Sequence, residues 1–132
     1  MKRPGFLLGA AFAVTATVAL AQTWPPTWVK PTAPFKVADN LYYVGSEGLS
    51  AWLITTPKGH ILIDAPMEQN VDRIEANVRA LGFKVEDIEL LLNSHAHFDH
   101  AAGLARIKKD SGAILAAAPG DKVALEKGVY PG

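Results

Sequence analysis

The histidine distribution constrains the fold of this 132-residue chain more than any other feature, because three of its four histidines fall within six residues. The run reads His95-Ala96-His97-Phe98-Asp99-His100. It follows an apolar stretch, residues 88–92, that predicts a strand buried on both sides. Side chains alternate along extended chain, so His95, His97 and Asp99 can face one way, while a turn into a helix brings His100 round. The sequence thus predicts four ligand-type side chains converging where a strand ends.

Imidazole and carboxylate are ligands that zinc accepts, and thiolate ligands are excluded because the chain has no cysteine. We predict that His95 and His97 bind one zinc ion, and that Asp99 and His100 bind a second. Two such metals can share a hydroxide, which Asp99 would orient as the catalytic residue. The alternative is that these are surface or capping residues, with Asp99 as the N-cap of a helix from Ala101. That role explains one residue and not the clustering.

Other polar residues carry weaker signals. Asp64 follows an apolar strand, where it could accept a hydrogen bond from a ligand histidine or form a turn, and both interpretations remain open. His60 is interpreted as the start of a strand. No separate Ser-His-Asp partner set accompanies Ser46, Ser50 or Ser94, so nucleophilic serine chemistry is not expected.

Residues 1–21 have the organisation of a cleavable secretory signal peptide. Lys2 and Arg3 precede an apolar stretch shorter than the roughly 20 residues of a membrane-spanning helix. We predict cleavage between Ala21 and Gln22, which leaves a periplasmic or secreted protein without membrane attachment. An uncleaved membrane anchor is the alternative.

Residues 22–34 contain four prolines together with Trp24 and Trp28, a composition unsuited to a helix or a central strand. We predict an extended arm whose aromatic rings pack on the domain, with the lining of a ligand cleft as the alternative.

Residues 35–132 alternate between strand and helix patterns. Strands are predicted at 41–44, 50–55, 60–64, 88–92 and 113–117. Helices are predicted at 71–81 and at 101–109. A last short helix is predicted to begin after Asp121, as its N-cap, and to end at Lys127. The order β-β-β-α-β-α-β-α is typical of a layered α/β (α+β) fold. Basic and acidic residues balance at 13 each, so no net charge favours nucleic acid as a partner.

The histidine run matches the His-x-His-x-Asp-His motif of the metallo-β-lactamase superfamily. Flanking phrases at 48–54 (GLSAWLI), 59–64 (GHILID), 81–83 (LGF) and 93–94 (NS) resemble subclass B3 in particular. The resemblance extends from about residue 35 to about residue 128.

This resemblance implies the N-terminal half of an αββα sandwich. It also implies two zinc ions and hydrolysis of the amide bond of a small-molecule β-lactam: a penicillin, cephalosporin or carbapenem. The full-length enzyme would confer antibiotic resistance. By position, His95 and His97 correspond to ligands of the first zinc, and Asp99 and His100 to ligands of the second.

Two departures from the family pattern bear on activity. Ala101-Ala102-Gly103 stands where the subclass more often has Ala-Gly-Gly. The family also takes one further histidine for each zinc from its C-terminal half, and none follows His100 here. We therefore expect 35–132 to be an incomplete domain, a fragment with an exposed sheet face, weak zinc binding and little activity. The alternatives are a glyoxalase II-like thioesterase or lactonase of the same superfamily, and a zinc-binding truncation without turnover.

Overall fold

The structure is a computed structural model and describes residues 24–130. The predicted signal peptide and the cleavage point before Gln22 lie outside the described residues. Along the described chain, no helix combines the length and the apolar character required to cross a membrane.

Six strands form one mixed sheet in which neighbours in sequence are neighbours in space. The strands are β1 (Phe35–Ala38), β2 (Leu41–Tyr43), β3 (Trp52–Ile54), β4 (His60–Ile63), β5 (Ile88–Leu92) and β6 (Ile114–Ala116). Pairing is antiparallel from β1 to β4 and parallel from β4 through β5 to β6. The parallel pairs need crossover connections, and each connection contains helix.

Four helices accompany the sheet in the described part of the chain. They are α1 (Val71–Ala80), α2 (Phe98–Ala101), α3 (Leu104–Ser111) and α4 (Lys122–Lys127). The stripe predicted for α1 is present, because Val71, Ile74 and Val78 are fully buried. Glycine in the left-handed conformation ends α3 at Gly112 and α4 at Gly128, as the sequence suggests.

The core lies on one face of the sheet, which we call the covered face. Leu53, Leu62 and Leu91 are register neighbours on β3, β4 and β5, and all three are fully buried. They cluster with Ile74 of α1 and Ile107 of α3. Fully burying one such side chain contributes about 1.5–3 kcal/mol, so this face dominates the stability of the described residues.

The opposite face, which we call the open face, carries apolar side chains that remain partly exposed. On this face, Trp52, Ile63 and Leu92 are register neighbours on β3, β4 and β5. The prediction that β5 is buried on both sides is therefore wrong: Leu90 and Leu92 are only half-buried. An apolar run specifies side chains that can be buried, whereas burial also requires a packing element. Among the described residues this sheet face is therefore partly exposed, and not fully exposed as expected.

Strand β1 was not predicted. Its four residues are all exposed, and it pairs with β2 along one edge of the sheet. A strand without a buried side chain leaves no burial pattern in the sequence, so β1 is defined by its hydrogen bonds to β2.

The single helix predicted at 101–109 is instead two helices, α2 and α3, which separate at Gly103. The Gly103 N–H donates to the Ala65 carbonyl at 2.9 Å. A Cβ atom on Gly103 would lie 2.9 Å from Val71 Cγ2 and 3.0 Å from the Ala65 oxygen. This close backbone approach favours glycine at the point where the chain passes from α2 to α3.

Two smaller predictions also need correction. Asp121 precedes α4, but its side chain makes no capping hydrogen bond. Its backbone is already helical, with φ −87° and ψ −14°, whereas a capping residue is usually extended. The arm is not fully extended either, because Pro26–Trp28 form one turn of 3-10 helix, with proline at the first turn, where it is tolerated.

Candidate metal centre

The histidine motif lies where β5 passes into α2. Its first part is extended up to His97, whose backbone has φ −79° and ψ 148°. Helix α2 then begins at Phe98 and contains both Asp99 and His100. The prediction that Asp99 continues the extended segment is therefore wrong, since the helix begins earlier than expected. Two candidate ligands come from a loop and two from the first turns of a helix.

The four candidate ligands lie close together. The ring centroid of His95 is 4.5 Å from that of His97 and 4.1 Å from that of His100. His100 Nε2 lies 3.8 Å from Asp99 Oδ2. Within residues 24–130, however, no three His, Asp or Glu side chains are positioned to hold one ion. The assignment of these four residues as metal ligands therefore remains a prediction.

Asp64 sits directly after β4 and has an unusual backbone. Its φ of 60° is the only positive value at a non-glycine residue in the described chain. Asp tolerates this left-handed conformation better than most residues, although it costs about 1–2 kcal/mol. The Asp64 N–H still donates to the Leu92 carbonyl at 2.9 Å, so this residue continues the pairing of β4 with β5. This conformation directs the carboxylate toward the residues that follow β5.

Four donors converge on the Asp64 carboxylate, although the residue is only 4% exposed. Oδ1 accepts from Asn93 Nδ2 at 3.1 Å and from the Ser94 N–H at 2.8 Å. Oδ2 accepts from Ser94 Oγ at 2.7 Å and lies 2.9 Å from His100 Nδ1. A carboxylate has about four lone-pair sites, so this buried group is fully hydrogen-bonded. Of the two roles left open by the sequence, Asp64 has that of an acceptor for a candidate ligand, whereas residues 64–67 form no turn.

The capping interpretation of Asp99 finds no support in the geometry. His97 occupies the N-cap position of α2 and Gly103 that of α3, and neither helix has a side-chain capping hydrogen bond. Asp99 is partly exposed beside His100.

The donor types and their surroundings fit zinc. Because His100 Nδ1 faces Asp64, its Nε2 is the nitrogen left for a metal, and metal-binding histidines are commonly oriented by a carboxylate in this way. Three imidazoles and one carboxylate, with no thiolate, form a ligand set that zinc accepts.

Aromatic residues of the arm pack against the motif. Trp24 and Trp28 stack with ring centroids 5.3 Å apart, and the Phe98 ring lies 4.6 Å from Trp24 and 6.0 Å from Trp28. The Trp28 carbonyl accepts from Ser46 Oγ at 2.6 Å and from Asn70 Nδ2 at 2.8 Å. The rings of the arm thus contact the motif itself, in agreement with a packing role, and the lining of a ligand cleft stays a prediction.

A tyrosine supports the loop that holds this arm. The Tyr43 hydroxyl donates to the Ser46 carbonyl and lies 3.1 Å from the Leu49 carbonyl, and burial raises the pKa of Tyr43. The Ser46 hydroxyl, which donates to the Trp28 carbonyl, therefore has a structural role in holding the arm.

Sequence reasoning missed Asn93 and Ser94 as partners of Asp64. The available signal was their place immediately after β5, next to the parallel strand β4, which Asp64 follows. His60 behaves as predicted: it begins β4, its Nδ1 accepts from the Thr56 N–H at 3.4 Å, and its ring packs edge-on to Phe83.

Comparison with known proteins shows which family and which solved structures this chain resembles. A family model described as the metallo-beta-lactamase superfamily matches residues 45–131. BJP-1, a subclass B3 metallo-beta-lactamase of Bradyrhizobium japonicum, is 48% identical with a TM-score of 0.76, covering 78% of this chain and 39% of BJP-1. LRA-12, described as a class B3 di-zinc metallo-beta-lactamase from an Alaskan soil metagenome, is 40% identical with a TM-score of 0.80. The match covers 82% of this chain and 41% of LRA-12.

A third solved structure, the native FEZ-1 metallo-beta-lactamase from Legionella gormanii, is 44% identical with a TM-score of 0.76. The match covers 80% of this chain and 40% of FEZ-1. This chain therefore spans about two fifths of the length of the solved structures it matches.

Proposed function

The chain belongs to the metallo-beta-lactamase superfamily, and from this membership we propose that it supplies metal ligands to an enzyme that hydrolyses the amide bond of β-lactams. The substrate class follows from the relatives, which are 40% to 48% identical and described as metallo-beta-lactamases, two of them of class B3. The observation that carries the proposal is the Asp64–His100 hydrogen bond within the histidine cluster. An enzyme of this kind confers resistance to penicillins, cephalosporins and carbapenems.

We assign His95 and His97 to one zinc ion and Asp99 and His100 to a second. Bound zinc would supply Lewis acidity and lower the pKa of a water molecule to about 7. These assignments are supported by the proximity of the rings and by the carboxylate that orients His100. Two protein ligands per ion are fewer than the three usual at a catalytic zinc, so we expect this chain to bind zinc weakly and turn over slowly.

The chain's own residues have separable tasks in this proposal. Asp64 holds the proton on His100 Nδ1 and so keeps Nε2 free. The Asp99 carboxylate, 26% exposed, can accept a hydrogen bond from an attacking water and orient it toward the lactam carbonyl. Phe98, packed against Trp24 and Trp28, fixes the start of α2 and thereby the two residues that follow it.

The decisive experiment compares three substrates on the purified chain from Gln22 onward with added zinc. We expect slow hydrolysis of the chromogenic β-lactam nitrocefin that a chelator abolishes, and slower or no hydrolysis of a glutathione thioester and of a homoserine lactone. His95→Ala should lower nitrocefin turnover by about 10- to 100-fold or more, because it removes a metal ligand. His60→Gln is the matched control and should leave turnover unchanged.

Two outcomes would contradict the proposal. Faster turnover of the thioester or the lactone would assign the chain to a different hydrolase of the superfamily. Zinc binding without turnover of any substrate would support a zinc-binding protein without catalysis. A rate equal to that of BJP-1 would overturn our expectation of weak activity from two ligands per ion.

We also propose that the protein is exported, since β-lactams act on the cell wall outside the cytoplasm. The support is the basic and apolar pattern of residues 1–21. Expression in a Gram-negative host should give a periplasmic product that begins at Gln22 by mass spectrometry. A product retaining Lys2 and Arg3 in the membrane fraction would indicate an uncleaved anchor.

A further inference from the structure

One serine hydroxyl contacts three groups of the candidate metal centre. Ser94 Oγ lies 2.7 Å from Asp64 Oδ2, 3.1 Å from His95 Nδ1 and 3.4 Å from His100 Nδ1. The backbone N–H of the same serine donates to Asp64 Oδ1 at 2.8 Å. Ser94 is therefore fixed to the carboxylate through both its backbone and its side chain.

The protons available to these groups determine the direction of each hydrogen bond. A carboxylate can only accept, whereas a hydroxyl has one proton and two lone pairs. The shortest contact of Ser94 Oγ is to Asp64 Oδ2, so the hydroxyl donates its proton there. Toward His95 the hydroxyl oxygen can then only accept, which requires the proton of that ring to be on Nδ1. His100 Nδ1 donates directly to Asp64 at 2.9 Å.

We propose that Ser94 is a positioning residue that relays the effect of Asp64 to His95. The carboxylate fixes the Nδ1–H tautomer of His100 directly, and the Ser94 hydroxyl fixes that of His95. Both rings then have a bare Nε2 for a metal. The relay rests on the proposed function in one respect: His95 and His100 are assigned to different zinc ions. A single buried carboxylate would thus prepare one ligand of each ion.

The opposite proton arrangement is chemically possible but fits the distances less well. If Ser94 Oγ donated to His95 Nδ1, the 2.7 Å contact with Asp64 Oδ2 would lack a proton between two acceptors. The His95 ring would then carry its proton on Nε2 and could not offer that nitrogen to a metal. The two arrangements therefore predict different tautomers of His95.

The tautomers are measured by long-range ¹H–¹⁵N correlation spectra of the metal-free chain at alkaline pH, where imidazole is neutral. We expect both His95 and His100 in the Nδ1–H form. In Ser94→Ala, His95 should shift toward the Nε2–H form while His100 remains Nδ1–H, because Asp64 still contacts it. Ser94→Thr retains a hydroxyl and should restore the His95 tautomer. Loss of structure alone would not change one ring and spare the other.

Zinc affinity gives a second readout. Titration with Zn²⁺ should show affinity about 10- to 100-fold lower in Ser94→Ala and near the starting value in Ser94→Thr, the range typical for residues that orient metal ligands. Ser111→Ala is the matched control, because it removes a serine hydroxyl that donates to the Ile107 carbonyl at 2.7 Å, away from the motif. It should leave both the tautomers and the affinity unchanged.

The relay and the proposed function can fail separately. A Nε2–H tautomer of His95 in the starting chain, or a His95 tautomer unchanged in Ser94→Ala, would overturn the relay whatever the enzyme hydrolyses. The expected tautomers together with no β-lactam turnover would support the relay and count against the proposed substrate.

Discussion

The two faces of the sheet are similar in composition and different in burial. On the covered face, Leu53, Leu62 and Leu91 are fully buried beneath helices α1 and α3. On the open face, Trp52, Ile63 and Leu92 occupy the adjacent register row and remain partly exposed. The side chains of both rows are large and apolar. The difference shows that apolar character makes burial favourable, whereas a packing partner decides whether burial happens.

The candidate metal centre lies beyond the carboxyl ends of β4 and β5, at the edge of the sheet and not on either face. Asp64 follows β4 and Ser94 follows β5, and these strands are parallel. Parallel strands bring the residues after their carboxyl ends to the same edge of a sheet, which is where ligand sites of α/β sheets form. The geometry of the centre therefore depends on the pairing of β4 with β5, which the covered face stabilises.

The largest effect is expected on the covered face. Leu91→Ala should lower the free energy of unfolding by about 2–5 kcal/mol, because it removes a fully buried side chain and leaves a cavity. Urea denaturation followed by circular dichroism measures this change. A loss below about 1 kcal/mol would mean that the covered face is not the main source of stability.

A smaller effect on stability is expected at Gly103, which lies between the covered face and the metal centre. Gly103→Ala should lower the free energy of unfolding by about 1–3 kcal/mol, since its Cβ would crowd Val71 and the Ala65 carbonyl. Gly120→Ala is the matched control, because a Cβ there meets nothing within 4 Å, and its effect should stay within about 1 kcal/mol. Equal effects at both glycines would argue against the close approach at Gly103.

The smallest effect is expected on the open face, one residue from the first substitution. Leu90→Ala changes the same residue type on the same strand, but Leu90 is only half-buried. Its free energy of unfolding should fall by about 1 kcal/mol or less. A loss as large as that of Leu91→Ala would show that the open face is covered in solution, for example by a second copy of the chain, and analytical ultracentrifugation would then detect the dimer.

Much of the fold could be predicted because its signals are local. The stripe of α1 follows the helical period, and the glycines after α3 and α4 occupy left-handed positions that favour glycine. The elements that could not be predicted depend on distant partners. Strand β1 is defined by pairing with β2, and the break before α3 by the approach of Gly103 to Ala65.

The candidate site likewise combines features with a local sequence signal and features that depend on distant partners. The sequence identified His95, His97, Asp99 and His100 as one group, because their types and spacing have no common structural explanation. It left two roles open for Asp64, whose partners Asn93 and Ser94 lie about thirty positions away in sequence. Only the parallel pairing of β4 and β5 brings these residues into contact.

The sequence by itself determined the candidate ligands, the exclusion of thiolate chemistry, the family resemblance and the alternation of helices and strands. These properties depend on residue identity and on periods of two to four residues, which are visible in one dimension. The tertiary structure alone decided which sheet face is covered, that Asp99 lies in a helix, and that Asp64 and Ser94 bond to the histidines. Those outcomes depend on contacts between distant segments, because the burial and orientation of a side chain are set by its neighbours in space.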